Sequence, residues 1–376
     1  MQKNKAPGRD GICTEHIQFY YSDIKMHLLH IFKACFQYNY FPKAWKTATV
    51  LVIPKPGKTN HTDPTSYWSI SLLPVLGKIL EPIILKRLQK EAKDGGWISA
   101  HQHGFQENKT KITAIEQLTN QIHHGFNQKA VTTCVLLDIK GAFDNAWHPS
   151  IICNLKNKEW SPYLIKIISS FLDDRKVELK SSDQELELHV CKGWLQGSVL
   201  SPMLWYVIIN EALNLTLPTG IKIQAFADDV AIYRTGIRKR AISASLQIAC
   251  NKIVEWGRTN KLTFSGQKTE LISFIRKHNA GEEISLLING NTVKDRAPNR
   301  LSFSVERPNR TRTELLFIKP YPNRTFFHQT VPEPFTNRLR SKRLRTLLPN
   351  RILFWSWELI DGYFHLCYPS VVTWCG

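Results

Sequence analysis

The sequence predicts an α+β fold, and three observations predict it. Segments with apolar residues at helical spacing are interspersed with short β-branched runs, without the strand–helix alternation of a parallel sheet. Of the 376 residues, 43% are apolar and 11% aromatic, enough to bury a sizeable core. Both features hold up to about residue 294, where the character of the chain changes.

In chain order, residues Ser22–Tyr38 and Val75–Glu91 carry apolar side chains at helical spacing. Val131–Leu137 is a β-branched apolar run of strand length that ends in Asp138, with Asp144 six residues on. Pro202–Leu215 reads as a helix with Ser201 as its N-cap and proline at its first position. Lys222–Tyr233 is two short apolar strands joined by the acidic pair Asp228–Asp229, the pattern of a hairpin tip. From residue 295 onward the basic residues switch from lysine to arginine, 2 Lys against 11 Arg, where the first 294 residues hold 29 Lys and 8 Arg. Pro-Asn-Arg recurs there at Pro298, Pro308, Pro322 and Pro349, at irregular spacing that argues against a solenoid. Residues 295–376 therefore read as a basic, poorly ordered extension or a nucleic-acid-binding arm.

The formal net charge of +19 calls for a polyanionic partner, nucleic acid first. The eight cysteines form no CxxC pair, so neither a zinc site nor a disulfide framework is expected. No apolar run reaches the roughly 18 residues of a spanning helix, and the start lacks a signal-peptide layout. An intracellular protein without a membrane partner is the expectation.

A single aspartate after a strand is most often a turn residue. Adjacent carboxylates at a hairpin tip are different: flanking strands desolvate them, and their charges repel. A bound divalent cation relieves both penalties, and Mg²⁺ accepts a few carboxylates plus substrate phosphates.

The residues around these acids resemble a known family. Ala-Asp-Asp at 227–229, preceded by LDIKGAFDNAW (137–147) and LQGSVLSPMLW (195–205), resembles the reverse transcriptases of non-LTR (LINE-like) retrotransposons. NKAPGRDGI (Asn4–Ile12), FPKAWKTATVLVIPKPGK (Phe41–Lys58), SYWSISLLPVLGKILE (Ser66–Glu81), HGFQENKT (His103–Thr110) and LTFSGQKTELISF (Leu262–Phe274) follow the family's order. The ordered set, over roughly Asn4 to Asn291, is far more specific than Ala-Asp-Asp alone. It implies a right-hand polymerase architecture, with fingers over residues 1–130, a palm over 131–294 and no recognisable thumb. It implies two Mg²⁺ ions on Asp138 and Asp228, with Asp229 supporting them as the third catalytic acid. Phe143 matches the aromatic that excludes a 2′-hydroxyl, and it argues against an RNA-directed RNA polymerase. Gln196 and Gly197 match the loop facing template and incoming base, Lys55 a fingers lysine at the triphosphate, and Lys268 a late-palm lysine near the pyrophosphate. The implied partners are an RNA template, a DNA primer and dNTPs, and the implied place of action is the nucleus.

Three departures stand out. The family usually has Arg-Pro where this chain has Trp68-Ser69, and Pro where it has Leu195. Each can arise by one C-to-T change, the pattern of a decaying copy. An endonuclease domain is expected ahead of Asn4 in an intact element. A catalytically dead relic that still binds nucleic acid is the competing expectation.

Overall fold

A computed structural model of the chain describes residues 5–57, 60–63, 66–180, 185–195, 197–275, 283–296, 357–360 and 363–366. Two helices, α1 (Thr14–Phe19) and α2 (Tyr21–Gln37), lead through a 3₁₀ turn at Lys43–Trp45 into strands β1 (Thr47–Pro54) and β2 (Tyr67–Leu72). Helices α3 (Val75–Asp94) and α4 (Lys111–Asn127) follow, then β3 (Val131–Leu137) and three helices, α5 (Ala142–Asn145), α6 (His148–Asn157) and α7 (Pro162–Leu172). Next come β4 (Lys176–Lys180), β5 (Glu185–His189) and helix α8 (Ser201–Leu213). The hairpin β6 (Ile221–Phe226) and β7 (Asp229–Gly236) precedes α9 (Lys239–Thr259), β8 (Glu270–Phe274), β9 (Ser285–Ile288) and β10 (Asn291–Arg296). A last pair, β11 (Trp357–Ile360) and β12 (Tyr363–Leu366), is antiparallel.

The strands form a four-stranded sheet in the order β2-β1-β4-β5 and a six-stranded sheet in the order β6-β7-β3-β8-β10-β9. Both mix parallel and antiparallel pairs, as the α+β reading expects. β3 lies between β7 and β8 and is covered on both faces, which explains why its run is continuously apolar or β-branched. Its two buried hydroxyls are satisfied sideways: Thr132 by Thr235 at 2.8 Å, and Thr133 by Ser273 at 3.1 Å. α9 crosses β7, β3 and β9 on its apolar stripe of Ile242, Leu246, Ala249 and Ile253. α8 is apolar on nearly every side and buried accordingly, packed between α3, α6 and β6. One core, running from Cys35 to Val293, joins the helices to the six-stranded sheet, and a separate small cluster of Ala48, Leu73 and Leu195 lies at the four-stranded sheet.

The sequence expectations hold for α2, α3, β3, the β6–β7 hairpin and the body of α8. Ser201 is not the cap of α8, however; it is the first helical residue, Pro202 the second, and Leu200 occupies the cap position. The six-stranded sheet also runs past the compositional change at 294/295. Asp295 and Arg296 pair with Leu271 and Ile272, and the Asp295 carboxylate, 4% exposed, meets Lys239 at 3.2 Å. The expectation for residues 297–356, 361–362 and 367–376 lies outside the described residues. Among the described residues no helix is long and apolar enough to cross a membrane.

Candidate active site

The register of the central strands assembles the acids. Leu137 is opposite Val230 in the antiparallel β3–β7 pair, so Asp138, one step beyond β3, comes level with Asp229 at the start of β7. Phe226 pairs with Asp229 across the hairpin, leaving Ala227 and Asp228 as its two-residue turn. The three carboxylates thus meet at one end of the sheet. Ala227 has φ +56°, a left-handed conformation uncommon outside glycine, asparagine and aspartate.

The segment after α9 continues alongside. Ile139 bridges Phe264, and the Ser265 amide donates to the Asp138 carbonyl at 2.8 Å. That course carries Lys268 to the acids, its Nζ 3.8 Å from Asp138 Oδ2. Burial, and then the charges of Asp228 and Asp138, push Asp229 up to about 7. Asp228 rises in the same direction, through burial first and the Asp138 charge besides. The side chain of Asp229 keeps an open edge toward solvent, which screens part of the repulsion. Three mutually repelling oxygen donors beside one ammonium suit a hard divalent cation. Among the described residues no group of three or more His, Cys, Asp or Glu is placed to hold a metal ion, so substrate phosphates would have to complete any ligand set around these acids.

Phe143 sits on α5, whose N-cap Gly141 is left-handed at φ +52°. Its ring is half-buried, stacked on Trp205 at 5.5 Å and 29°, with Phe105 and Trp194 edge-on at 6.4 Å. The loop before α8 is laid against this segment. The Gly193 amide donates to Ala146 O at 2.7 Å and the Trp194 amide to Phe143 O at 3.3 Å. A Cβ on Gly193 would stand 2.5 Å from Asp144 O, so only glycine permits that approach. Gly197, at φ +110°, comes near the end of β2, where a Cβ would contact Ser71 O at 3.4 Å. Gln196 lies outside the described residues. Lys55 directly follows β1 on the four-stranded sheet, its amide bonded to Ser66 O at 2.8 Å, on a different sheet from the acids.

The sequence reading missed three supports of this site. The Glu81 carboxylate, fully buried on α3, accepts from Ser198 Oγ at 2.7 Å and from the amides of Val199 at 2.6 Å and Leu200 at 3.3 Å. It therefore satisfies the start of α8 that Ser201 was expected to cap. Burial raises the Glu81 pKa, against the charge of Arg175 and these hydrogen bonds. Trp205 donates from Nε1 to Ala227 O at 3.1 Å, and Gln102 reaches the same turn. Trp205 stands inside a recognisable motif, and Gln102 one residue before another. Neither spacing nor hydropathy marks their partners.

The sheet and its acidic end define a class that sequence comparison makes explicit. The model of the family "Reverse transcriptase (RNA-dependent DNA polymerase)" matches residues 53–307, and the chain belongs to that family. Within it, the relatives are proteins of non-LTR mobile elements. The probable RNA-directed DNA polymerase from transposon BS of Drosophila melanogaster is 30% identical over 70% of this chain and 30% of its own length. The RNA-directed DNA polymerase from mobile element jockey of the same fly is 29% identical over 77% and 32%. The Pol polyprotein from type-1 retrotransposable element R1 of Bradysia coprophila is 29% identical over 77% and 28%. The chain thus spans about three tenths of the length of these relatives. A solved telomerase from Candida tropicalis matches more distantly, at 12% identity and a TM-score of 0.45, over 70% of this chain and 46% of that one.

Proposed function

We propose that this chain is the polymerase part of a retrotransposon reverse transcriptase, extending a DNA primer with dNTPs on an RNA template. The observation that carries the proposal is the convergence of Asp138, from β3, with Asp228 and Asp229, from the β6–β7 turn, in a chain of this family. In this reading the six-stranded sheet is the palm and the four-stranded sheet belongs to the fingers. Asp138 and Asp228 hold two Mg²⁺ ions, with Asp229 completing the negative field. When bound, the ions lower the barrier to attack by the primer 3′-oxygen and neutralise the leaving pyrophosphate.

The chain's own residues supply the rest. Lys268, already beside Asp138, is placed to meet the pyrophosphate as charge leaves. Phe143, braced by Trp205, presents a rigid wall to the sugar. Gly197, with no side chain, lets the loop backbone approach template and base, next to Gln196. Lys55 faces the triphosphate from the fingers. A nuclear site of action follows from the same reading.

The test is primer extension on poly(rA)/oligo(dT) by the purified chain with Mg²⁺, beside an Asp228→Ala control. Extension by the parent alone supports the proposal; extension by both, or by neither, refutes it for this chain. The substitution at Trp68 favours the second reading, a relic that binds nucleic acid without extending it.

A further inference from the structure

We infer that Gln102 is a positioning residue that holds the Ala227–Asp228 turn in register, and so fixes where the Asp228 carboxylate points. Gln102 is 0% exposed. Its amide grips both polar groups of one residue: the Ala227 N–H donates to Gln102 Oε1 at 3.1 Å, and Gln102 Nε2 donates to the Ala227 carbonyl at 3.1 Å. The same Oε1 accepts from the Gly104 amide at 2.8 Å, which fixes the side chain at its root.

The backbone around Gln102 adds to the grip. Gln102 bridges Ala225 in parallel, the His103 amide donates to Ala225 O at 2.7 Å, and the Ala225 amide donates to His101 O at 2.8 Å. β6 is the edge of the six-stranded sheet, and residues 101–103 cover that edge at the point where the turn begins. Gly104 lies so close that a Cβ would stand 2.4 Å from the Ala227 amide. His103 anchors the segment to α4, through Thr113 at 2.9 Å and Gln117 at 2.8 Å.

The turn needs such a brace. Ala227 is held at positive φ, a conformation that is strained for a residue with a Cβ and persists only where the surroundings over-determine it. The like charges of Asp138, Asp228 and Asp229 also push the turn outward. A hairpin of two residues cannot resist both alone, whereas a glutamine bonded to both faces of the turn peptide can.

The inference rests on the polymerase reading for its functional meaning, so the test separates the two. Gln102→Ala and the near-isosteric Gln102→Met are compared with the parent in the full chain. Methionine keeps the volume but loses the donor and the acceptor bonds, and it guards against a cavity collapsing the fold. Three quantities are read: hydrogen exchange of peptides spanning 222–232, Mn²⁺ binding followed by the paramagnetic signal of free Mn²⁺, and steady-state primer extension. Gln102→Ala is expected to speed exchange in 222–232 by ~10-fold or more while 131–137 stays protected. Mn²⁺ affinity should drop about 10-fold, and kcat about 10- to 100-fold with KM for dNTP within about two-fold, as for a misplaced reacting group. Gln102→Met should show the same pattern with a smaller loss of melting temperature than Gln102→Ala. The inference is overturned if either folded variant leaves exchange at 222–232 unchanged, or loosens the turn without loss of Mn²⁺ affinity. A parent that neither binds Mn²⁺ nor extends a primer sinks the polymerase reading instead, and exchange alone then decides whether Gln102 is the brace.

Discussion

In the polymerase reading, Trp68 takes the place of the family's arginine at the triphosphate; it lies on an edge strand whose backbone pairs Trp68 with Ile53 and Ser69 with Val52. The strand is intact with Ser69, and an edge strand would also accept the usual proline. The loss at this point is therefore chemical: an indole cannot donate the charged, forked hydrogen bonds of a guanidinium. Trp68→Arg, alone or with Ser69→Pro, is expected to raise kcat/KM for dNTP by about 10- to 100-fold, the equivalent of one charge-assisted contact. Steady-state extension assays check it, and an unchanged rate in an active parent would mean that Trp68 is adapted rather than damaged. Leu195 tells a different story. It is buried with Ala48 and Leu73 in a small apolar cluster, so the chain has absorbed this departure into its packing.

At the scale of elements, the β6–β7 hairpin ties stability to pH. Asp229 titrates higher in the fold than in an unfolded chain, where an aspartate sits near ~4. The folded state binds the extra proton, so its contribution favours folding at low pH and is lost as pH rises toward about 7. In chelator, the parent's melting temperature relative to Asp229→Asn should fall between about pH 5 and about pH 8. Mg²⁺ should restore it chiefly at the upper end, where carboxylates are free of protons. Parallel melting curves for the two proteins would contradict the assignment.

β10 offers an independent test, since Asp295 also accepts from the Ser273 amide at 3.0 Å. Asp295→Ala removes the anion beside the buried Lys239 ammonium and should cost about 3 kcal/mol in chemical denaturation. A loss within about 0.5 kcal/mol would show that the Asp295–Lys239 pair adds nothing to the fold. These two elements also mark what the sequence could reveal. β3 and the hairpin were legible because burial on both faces writes itself as continuous apolar runs ending in acid. The end of the six-stranded sheet was not: a change in composition at 294/295 hid the sheet register, which is set by partners elsewhere in the chain. The cap of α8 failed for the same reason, since Ser201 is adjacent and Glu81 is distant.

For the whole molecule, the +19 charge predicts that binding to RNA or an RNA–DNA hybrid weakens steeply with salt. Each phosphate neutralised should add about 0.7–0.9 to the log–log slope, with little dependence on sequence. Affinity unchanged between low and moderate salt would exclude an electrostatic interface. The sign of the charge was plain from composition, whereas the way α3 is tied to α8 across the chain was not. The Glu81–Ser198 bond spans 117 residues, and α3 packs against the helix that this bond begins. During synthesis, then, the stripe of α3 that packs on α8 must wait for that helix to emerge, roughly 6–23 s at about 5–20 residues per second. A ribosome that stops within that interval releases a chain with its stripe bare, ready prey for chaperones and proteases.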